Sequence, residues 1–361
     1  MKNYRPTWAE IDLNALWKNI EIAKKHAPHK IIVPVIKANG YGHGAVKIMK
    51  FLMDKGFDYY AISTLEEALE LRKIYKDVQL FMMGPIQVSD LEVASKYQIE
   101  ITLYDEQIIE HVLTSQLNLI CHLKVDTGMH RYGINDEENI IETIHSLQHH
   151  PTIDLKGIYT HFATADNNES FYLNQKERFE SIIDRLDIKP RVIHMSNSSS
   201  TLNYEKDIHY TTHVRYGISL YGLTLDATSH GLMPVMKLKT KIISIKTLKK
   251  NECLGYGQTY CAQEDEMIGI LPIGYADGFL RRNKNGDVEV KKRRYPLVGN
   301  ICMDACFVKI DQKIKVGDVV TLFGGLISTD EVAKRNQTIN YEIVTSITYR
   351  VPKIYKRSKT I

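Results

Sequence analysis

Apolar segments alternate with amphipathic segments over the first part of the chain. Eight apolar segments have the length and the β-branched content that are typical of buried strands. These predicted strands are residues 31–37, 59–64, 78–84, 99–104, 119–126, 155–162, 192–196 and 214–221. Segments with helical periodicity lie between most of them, at 64–75, 105–115, 136–149 and 170–186. Asp105 and Asp136 are suitable N-caps for two of these helices.

Eight strands that alternate with helices predict an α/β fold, a (β/α)8 TIM-type barrel. A doubly wound sheet usually has fewer strands and a GxGxxG turn. The glycines after the first strand, Gly40, Gly42 and Gly44, do not have that spacing. Two features fit the barrel less well. Pro34 removes a hydrogen-bond donor from the first strand, and the crossover at 198–201 is short and rich in serine.

The pattern changes in the last third of the chain. From Val235 onward, short β-branched segments are separated by turn signals such as Asn285-Gly286. A single helix, at 329–336, interrupts them. We therefore predict two domains, a barrel over residues 1–231 and an all-β C-terminal domain over residues 232–361.

Composition and charge narrow the class of protein. Hydrophobic residues make up 43% of the chain and charged residues 25%, as in soluble globular proteins. No apolar run is long enough to span a bilayer, and the first residues lack the apolar core of a signal peptide. We therefore expect a cytoplasmic protein without a membrane partner. The net charge of +4 is mild, and no basic face with interleaved aromatic residues predicts a nucleic-acid partner.

The five cysteines are scattered and contain no CxxC pair. An odd number without regular spacing argues against a disulfide framework and against a zinc site. The HExxH motif is absent as well. We therefore expect neither a disulfide framework nor a bound metal.

Lys37 ends the first predicted strand and precedes the glycine-rich turn. Burial of an ammonium group lowers its pKa, which makes a lysine a better nucleophile toward a carbonyl group. One interpretation is a lysine that forms a Schiff base with pyridoxal phosphate, with glycines that let the backbone approach the cofactor. The other is a lysine whose ammonium group reaches solvent at the end of the strand. Residues 35–44 alone leave both interpretations open.

Further polar residues follow the carboxyl ends of other predicted strands, where barrels of this kind build their active sites. Arg131 follows the fifth strand, His161 ends the sixth and Ser198 follows the seventh. Arg215 and Gly217 lie on the eighth strand. Barrels commonly hold phosphate after strands seven and eight, and a serine hydroxyl with nearby backbone amides suits that task. Each residue has an ordinary structural explanation, but together they predict one catalytic rim.

Nine motifs, in order along nearly the whole chain, resemble those of alanine racemases. They are VIKANGYGHG, KVDTGMHRYG, GIYTHFATAD, HMSNSS, VRYGISLYG, LGYGQTY, PIGYADG, GNICMD and ITYRVPK. Any one of them alone is weak, whereas the ordered set is specific. The resemblance implies a barrel that binds pyridoxal phosphate, a β domain after it, and two chains packed head to tail. His130 and the serine run 198–200 depart from the family pattern without removing a catalytic group.

By this resemblance, Lys37 holds pyridoxal 5'-phosphate as a Schiff base and is one of two acid/base groups. Tyr256 is the second group and reaches the site from the partner chain. Racemisation needs two groups, because the Cα proton leaves one face of the substrate and returns to the other. The implied reaction interconverts L-alanine and D-alanine in a homodimer with shared active sites, and it supplies D-alanine for peptidoglycan.

The resemblance also implies roles for further residues. Arg215 faces the pyridine nitrogen and, because arginine stays protonated, keeps that nitrogen unprotonated. His194 supports Arg215, and His161 lies beside Tyr256. Lys124 matches a lysine that is carbamylated in some relatives and positions an arginine. The remaining assignments are Tyr41, Ser198, Gly217, Ile218 and Tyr349 for the phosphate, Arg131 for the phenolic oxygen and the substrate, and Met303, Tyr275 and Asp304 for the substrate entrance.

Three other functions stay open. The nearest is a racemase of the same fold that acts on serine or on several amino acids. A barrel-fold amino-acid decarboxylase is disfavoured, because those enzymes place a carboxylate where this chain has Arg215. A non-catalytic regulator that binds pyridoxal phosphate lacks the second domain and would leave Tyr256 without a purpose.

Overall fold

The structure, a computed structural model, describes residues 4–226 and 228–357. These residues form two compact units. The barrel unit consists of residues 18–40 and 45–232, and the β unit consists of residues 4–17, 41–44 and 233–357. The N-terminal strand and the turn at 41–44 therefore belong with the C-terminal part of the chain. The domain boundary between residues 231 and 232 stays a prediction.

The barrel unit contains eight parallel strands in the predicted order. The first strand pairs with the eighth, the second pairs with the third, and the fourth to the seventh pair in sequence. Single parallel bridges, Val35 to Ala61 and Phe81 to Glu100, continue the ladder beyond the first and third strands. The eight strands are Ile31–Pro34, Tyr59–Ile62, Gln79–Met82, Ile101–Leu103, Leu119–Lys124, Ile153–Tyr159, Val192–His194 and His213–Tyr216.

Most of these strands end earlier than the apolar pattern predicts. The eighth, predicted over 214–221, ends at Tyr216, because Ile218–Tyr221 turn into a 3₁₀ helix. The helices between the strands agree better. Asp105 and Asp136 are N-caps as predicted, and their carboxylates accept the backbone N–H three residues ahead over 2.9 and 2.8 Å. The helices before residue 204 are Leu13–His26, Ala45–Met53, Leu65–Ile74, Leu91–Lys96, Glu106–Thr114, Glu137–His149, Glu169–Asp184 and Ser198–Asn203.

The β unit is built on a nine-stranded sheet. Alternate residues are buried along strands such as Thr7–Asp12 and Met236–Lys241, so one face of the sheet packs against the core. The predicted helix is present at Thr329–Asn336, and a second helix, Asn340–Thr345, was not predicted. In spatial order the strands are Ser244–Leu248, Glu266–Leu271, Cys306–Ile310, Arg293–Val298, Asp287–Val290, Val319–Phe323, Met236–Lys241, Thr7–Asp12 and Lys353–Lys356.

One disulfide is present, although the scattered cysteines argue against a disulfide framework. Cys253 and Cys261 are bonded to each other, and their Cα atoms lie 4.0 Å apart. The two residues face each other across a small antiparallel ladder formed by Cys253–Leu254 and Tyr260–Cys261. A spacing of eight residues carries no disulfide signal in the sequence, because only the hairpin brings the two sulfur atoms together. Cys121, Cys302 and Cys306 are free thiols.

Among residues 4–226 and 228–357, no group of three or more His, Cys, Asp or Glu side chains has an arrangement that could hold a metal ion. No helix in the same ranges is both long enough and apolar enough to cross a membrane.

Candidate active site

Lys37 lies three residues after the end of the first barrel strand, at the start of a left-handed turn. Ala38, Asn39 and Gly40 have φ of +50°, +52° and +62°. This region is unfavourable for Ala38, and such backbone strain is often found at functional sites. Two side chains hold the turn. The amide of Ala38 donates to a carboxylate oxygen of Glu67 over 2.6 Å, and the side-chain oxygen of Asn39 accepts from the amide of Ala45 over 2.9 Å.

The surroundings of Lys37 favour its neutral amine. Burial lowers the pKa of Lys37, and the positive charge of Arg131 adds to that effect, with a smaller contribution from Arg215. The carboxylate of Glu67 opposes the shift only in part. A lysine of this kind is a better nucleophile and proton acceptor near neutral pH than a lysine on the surface.

Arg215 is buried and held at several points. One terminal nitrogen, Nη1, donates to Nδ1 of His194 over 2.8 Å and to the carbonyl of His194 over 2.9 Å. The other, Nη2, donates to the carbonyls of Thr160 and Met195, both over 2.8 Å, and lies 3.3 Å from Nδ1 of His161. Burial lowers the pKa of Arg215 to about 10. The guanidinium therefore stays protonated near neutral pH.

The third nitrogen of the Arg215 guanidinium group, Nε, differs from the two terminal nitrogens. Nε of Arg215 is buried and has no hydrogen-bond partner among residues 4–226 and 228–357. A buried N–H group without an acceptor is costly, and native structures rarely leave one unpaired. Nε of Arg215 is therefore a donor that fits a ligand with an acceptor atom.

A chain of hydrogen bonds continues from Arg215 across the barrel interior. Nε2 of His194 lies 3.2 Å from Nδ1 of His122, and Nε2 of His122 lies 2.9 Å from a carboxylate oxygen of Glu100. All three residues are buried. Burial lowers the pKa of both histidines, and the charge of Arg215 adds to the shift at His194. Both imidazoles are therefore neutral.

Glu100 ends this chain as a carboxylate. Burial by itself would raise the pKa of Glu100, but the hydrogen bond from His122 and the ammonium of Lys156 outweigh it and hold the pKa at about 2. Lys156 donates to one carboxylate oxygen, and the hydroxyl of Tyr59 donates to the other over 2.6 Å. A buried negative charge thus stands at one end of the chain and a buried positive charge at the other.

Lys124 is a second buried lysine of the barrel unit. It ends the fifth strand, and Nζ donates to the carbonyl of Val125 over 3.0 Å and lies 5.1 Å from the centre of the Tyr159 ring. Burial, and then the positive charge of Arg215, lower the pKa of Lys124 to about 7. Arg131 lies in the loop that follows, with its guanidinium 4.9 Å from the Tyr132 ring.

Ser198 and Gly217 meet at the ends of strands seven and eight. The Ser198 hydroxyl oxygen accepts from the amide of Gly217 over 3.0 Å and from the amide of Ser219 over 3.3 Å. Ser198 is the first residue of the helix Ser198–Asn203, which Asn197 caps. Hydroxyl and amide donors therefore gather where the sequence predicts a phosphate site, and Ile218 follows directly.

The other predicted residues lie in the β unit. Tyr256, Tyr275, Met303 and Asp304 line one cavity of about 620 Å³. Tyr256 is 75% exposed, and its backbone carbonyl accepts a hydrogen bond from the side-chain amide of Asn300 over 2.8 Å. The remaining predicted residues of this unit are Tyr41, which is buried and in contact with the Tyr341 ring, and Tyr349, which is 95% exposed.

Two family models match this chain. They are the N-terminal domain of alanine racemase, over residues 11–225, and the C-terminal domain of alanine racemase, over residues 235–355. The chain belongs to the alanine racemase family. An alanine racemase of Anoxybacillus flavithermus is 38% identical over 376 residues, which cover 99% of this chain and 97% of that protein.

Solved structures of the family agree closely with this one. Alanine racemase from E. faecalis has a TM-score of 0.93 and 34% identity, and the match covers 98% of this chain and 99% of that one. Alanine racemase from Bacillus anthracis with bound L-Ala-P has a TM-score of 0.92 and 32% identity over 99% and 97% of the two chains. The predicted fold, a (β/α)8 barrel followed by a β domain, is confirmed. The predicted activity, a racemase of alanine that depends on pyridoxal phosphate, is confirmed as well.

Sequence reasoning missed several residues of this site. His122 and Glu100 lie within or next to apolar strands, where a polar residue reads as an ordinary satisfied core position. Their only signal in the sequence is that each is a polar residue within an apolar segment. In the β unit, Arg281, Asn300 and Cys302 also line the cavity beside Tyr256. Asn300 and Cys302 fall inside the GNICMD motif, but their contacts appear only in the folded unit.

Proposed function

We propose that Lys37 and Tyr256 are the two acid/base groups of this racemase, with Tyr256 supplied by a second copy of the chain. The observation that carries the proposal is Arg215: a buried, protonated arginine with a donor at Nε that has no acceptor among the described residues. An unprotonated pyridine nitrogen is an acceptor of the kind that this donor requires. Lys37 belongs to the same unit, and Arg215 contributes to its lowered pKa.

The described residues fit pyridoxal phosphate on chemical grounds. The cofactor supplies the electron-withdrawing ring that acidifies the Cα–H bond of an attached amino acid. Arg215 would bind the ring nitrogen as a donor, and His194 would orient Arg215. Ser198, with the amides that follow Gly217, would bind the phosphate. The family resemblance adds Ile218, Tyr41 and Tyr349 to the phosphate, and Arg131 to the phenolic oxygen and the substrate.

A protonated arginine opposite the ring nitrogen limits what the enzyme can do. Because Arg215 is a cation that can only donate a hydrogen bond, the ring nitrogen would stay unprotonated and the ring would withdraw electrons less strongly. A less electron-withdrawing ring would suit racemisation, in which a proton returns at once, better than transamination. His161, which also contacts Arg215, would tune Tyr256 in the assembled site.

Lys37 and Tyr256 would divide the proton transfer between the two faces of the substrate. The lowered pKa of Lys37 leaves more of its amine free to accept the Cα proton near neutral pH. The exposed phenol of Tyr256 would exchange the proton on the opposite face. Tyr275, Met303 and Asp304, which share the cavity beside Tyr256, would line the entrance and select small substrates.

We propose that Lys124 is carbamylated. A pKa of about 7 leaves a large fraction of Nζ as the free amine near neutral pH, and that amine can add carbon dioxide and lose one proton. The product is an anion that accepts hydrogen bonds. It would replace a buried cation with a partner for Arg131.

Three wider features follow from the same proposal. Tyr256 of each chain would act in the active site of the other chain, so the working form would be a homodimer with shared sites. The product, D-alanine, would supply peptidoglycan synthesis, and a cytoplasmic location fits that task. The functional domains would be residues 1–231 and 232–361.

A substrate screen tests the proposed function directly. L-alanine, L-serine and other amino acids are incubated with the enzyme, and the D-product is measured by chiral chromatography. We expect alanine to turn over fastest, with Lys37→Ala as the background. Faster turnover of serine would instead support a serine or broad-specificity racemase. Bound cofactor with no turnover of any amino acid would support a non-catalytic regulator.

A further inference from the structure

Cys253 and Cys261 lie at the base of the loop that carries Tyr256. Their disulfide joins two strands of two residues each, which form only two ladder pairs, Cys253 with Cys261 and Leu254 with Tyr260. Even a full two-stranded hairpin is only marginally stable in water. Just outside this ladder, the amide of Asn251 donates to the carbonyl of Ala262 and the amide of Ala262 donates to the carbonyl of Glu252. Among the described residues, the disulfide adds a covalent link to these hydrogen bonds.

Little else fixes the position of Tyr256. Gly255, Gly257 and Gln258 have φ of +66°, +71° and +47°, and a left-handed conformation is unfavourable for Gln258. The Asn300 side chain holds the backbone of Tyr256, but the phenol itself is largely exposed. Whether the loop is closed at its base therefore decides how well Tyr256 is positioned.

We propose that Cys253 and Cys261 are a reversible thiol–disulfide site, which exchanges with small disulfides of the glutathione type and sets how firmly Tyr256 is held. Both cysteines are partly exposed, so a small disulfide can reach them. Cys121 and Cys306 are instead buried, and burial raises the pKa of their thiols, which keeps them unreactive. The exchange itself is independent of the role of Tyr256, but its effect on racemisation rests on the proposed function.

The exchange takes two steps. The thiolate of one cysteine attacks a small disulfide, so that one sulfur–sulfur bond forms, another breaks and one small thiolate leaves. The second cysteine then attacks the mixed disulfide and releases the second small thiol. In sum, two protein thiols lose two electrons and two protons, and one small disulfide is reduced to two thiols.

Reduction of the pair should loosen the loop. A cross-link removes conformational freedom from the segment that it closes, and the closed segment here has a sequence separation of eight. We expect amide hydrogen exchange in residues 253–261 to be about tenfold faster in the reduced protein. Because a misplaced catalytic group lowers the rate steeply, kcat/KM for alanine should fall by about three- to tenfold.

The chemical test uses the full holoenzyme with mixtures of reduced and oxidised glutathione. We expect two of the five thiols to disappear as the mixture becomes more oxidising, and a peptide map to join Cys253 to Cys261. Cys302→Ser should still lose two thiols, because the pair is intact. Cys253→Ser and Cys261→Ser should each abolish the intramolecular bond. Five free thiols at every glutathione ratio would overturn the proposal.

The functional test compares hydrogen exchange and kcat/KM at the two ends of the same titration. A double variant with both Cys253→Ser and Cys261→Ser should behave like the reduced enzyme at every ratio, because it has no thiol at this site that could form a mixed disulfide with glutathione. Equal exchange and equal kcat/KM in the oxidised and reduced forms would refute control of the loop, even if the bond forms. If Tyr256→Phe keeps full racemase activity while the pair still oxidises, the proposed role of Tyr256 fails and the thiol–disulfide site stands.

Discussion

Nδ1 of His194 accepts a hydrogen bond from the guanidinium of Arg215, and this bond determines the tautomers of two buried histidines. Arginine can only donate, so Nδ1 of His194 carries no proton and Nε2 does. Nε2 of His194 then donates to Nδ1 of His122, and Nε2 of His122 donates to Glu100, which as a carboxylate can only accept. Every bond in the chain points from the cation to the anion.

Glu100 therefore supports Arg215 from a distance, and Glu100→Gln should weaken that support. The variant keeps the shape of the side chain but removes the charge that fixes the end of the chain. We expect the free energy of unfolding to fall by about 2 kcal/mol, because a buried hydrogen bond to a charged group is lost. Urea unfolding of the apoenzyme measures this change. In the holoenzyme, affinity for pyridoxal phosphate should also fall.

The exposed Glu92→Gln provides the matched control, and it should change neither stability nor cofactor affinity. The double variant Glu100→Gln with Lys156→Gln also removes the ammonium group of Lys156, which loses its carboxylate partner in Glu100→Gln. It should recover part of the stability that Glu100→Gln loses. No difference in cofactor affinity or in the pH profile of kcat/KM between wild type and Glu100→Gln would limit Glu100 to a purely structural role.

The effect of Glu100→Gln should depend on pH in a defined direction. The pKa of Glu100 is about 2 in the folded protein, below its ordinary value of 4.5. A carboxyl group with a depressed pKa stabilises the fold above its unfolded pKa and loses that contribution as pH falls through the folded pKa. The stability gap between wild type and the variant should therefore be constant above about pH 5 and close as pH falls from 4.5 toward 2. A gap that widens in acid would contradict the assigned charge.

The positions of the barrel strands and the residues at which they end differ in how far the sequence determines them. The barrel strands were predictable, because buried parallel strands need continuous apolar runs that turn signals bound. Their ends were not. The first strand ends at Pro34, although the amides of Val35 and Ile36 still donate to the carbonyls of Tyr216 and Ala61, and the eighth strand ends at Tyr216 because the chain turns at Gly217. Lys37 and Arg215 were identified because their charges are unusual at such positions.

Contacts between distant segments could not be read from the sequence. Glu100, His122 and His194 belong to different segments of the barrel unit, and only the pairing of strands four to seven in one sheet brings them into line. The same holds for the disulfide between Cys253 and Cys261, which depends on the register of one short hairpin. Local sequence patterns predict helices and strands, whereas these polar contacts depend on the register in which separate strands pair.

Lys37→Ala should abolish the visible absorption band of the bound cofactor along with racemisation. The amine of Lys37 is the proposed attachment point, and alanine has no nucleophile. Absorption spectroscopy of the purified variant measures the band. The exposed Lys47→Ala serves as the control and should keep both the band and the activity. A Lys37→Ala enzyme with an unchanged band would show that another residue holds the cofactor.

Mixed dimers test whether sites are shared between chains. Lys37→Ala and Tyr256→Phe should each be inactive alone, since each removes one of the two acid/base groups. After subunit exchange, a dimer with one chain of each kind has one site with both groups intact. Random assortment makes about half of the dimers mixed, so about a quarter of the wild-type activity should return. Subunit exchange is verified by native mass spectrometry. If exchange occurs and no activity returns, this result would argue for sites built within one chain.

Carbamylation of Lys124 should be visible as added mass and should depend on carbon dioxide. The free amine that the lowered pKa provides is the reactive form, so bicarbonate at about pH 8 should favour the adduct. Native mass spectrometry should find an increase of about 44 Da per chain. Lys124→Arg keeps the positive charge but cannot form this adduct, and it should lack the added mass and show a higher KM for alanine. An unmodified Lys124 in bicarbonate, together with full activity of Lys124→Arg, would contradict the carbamate.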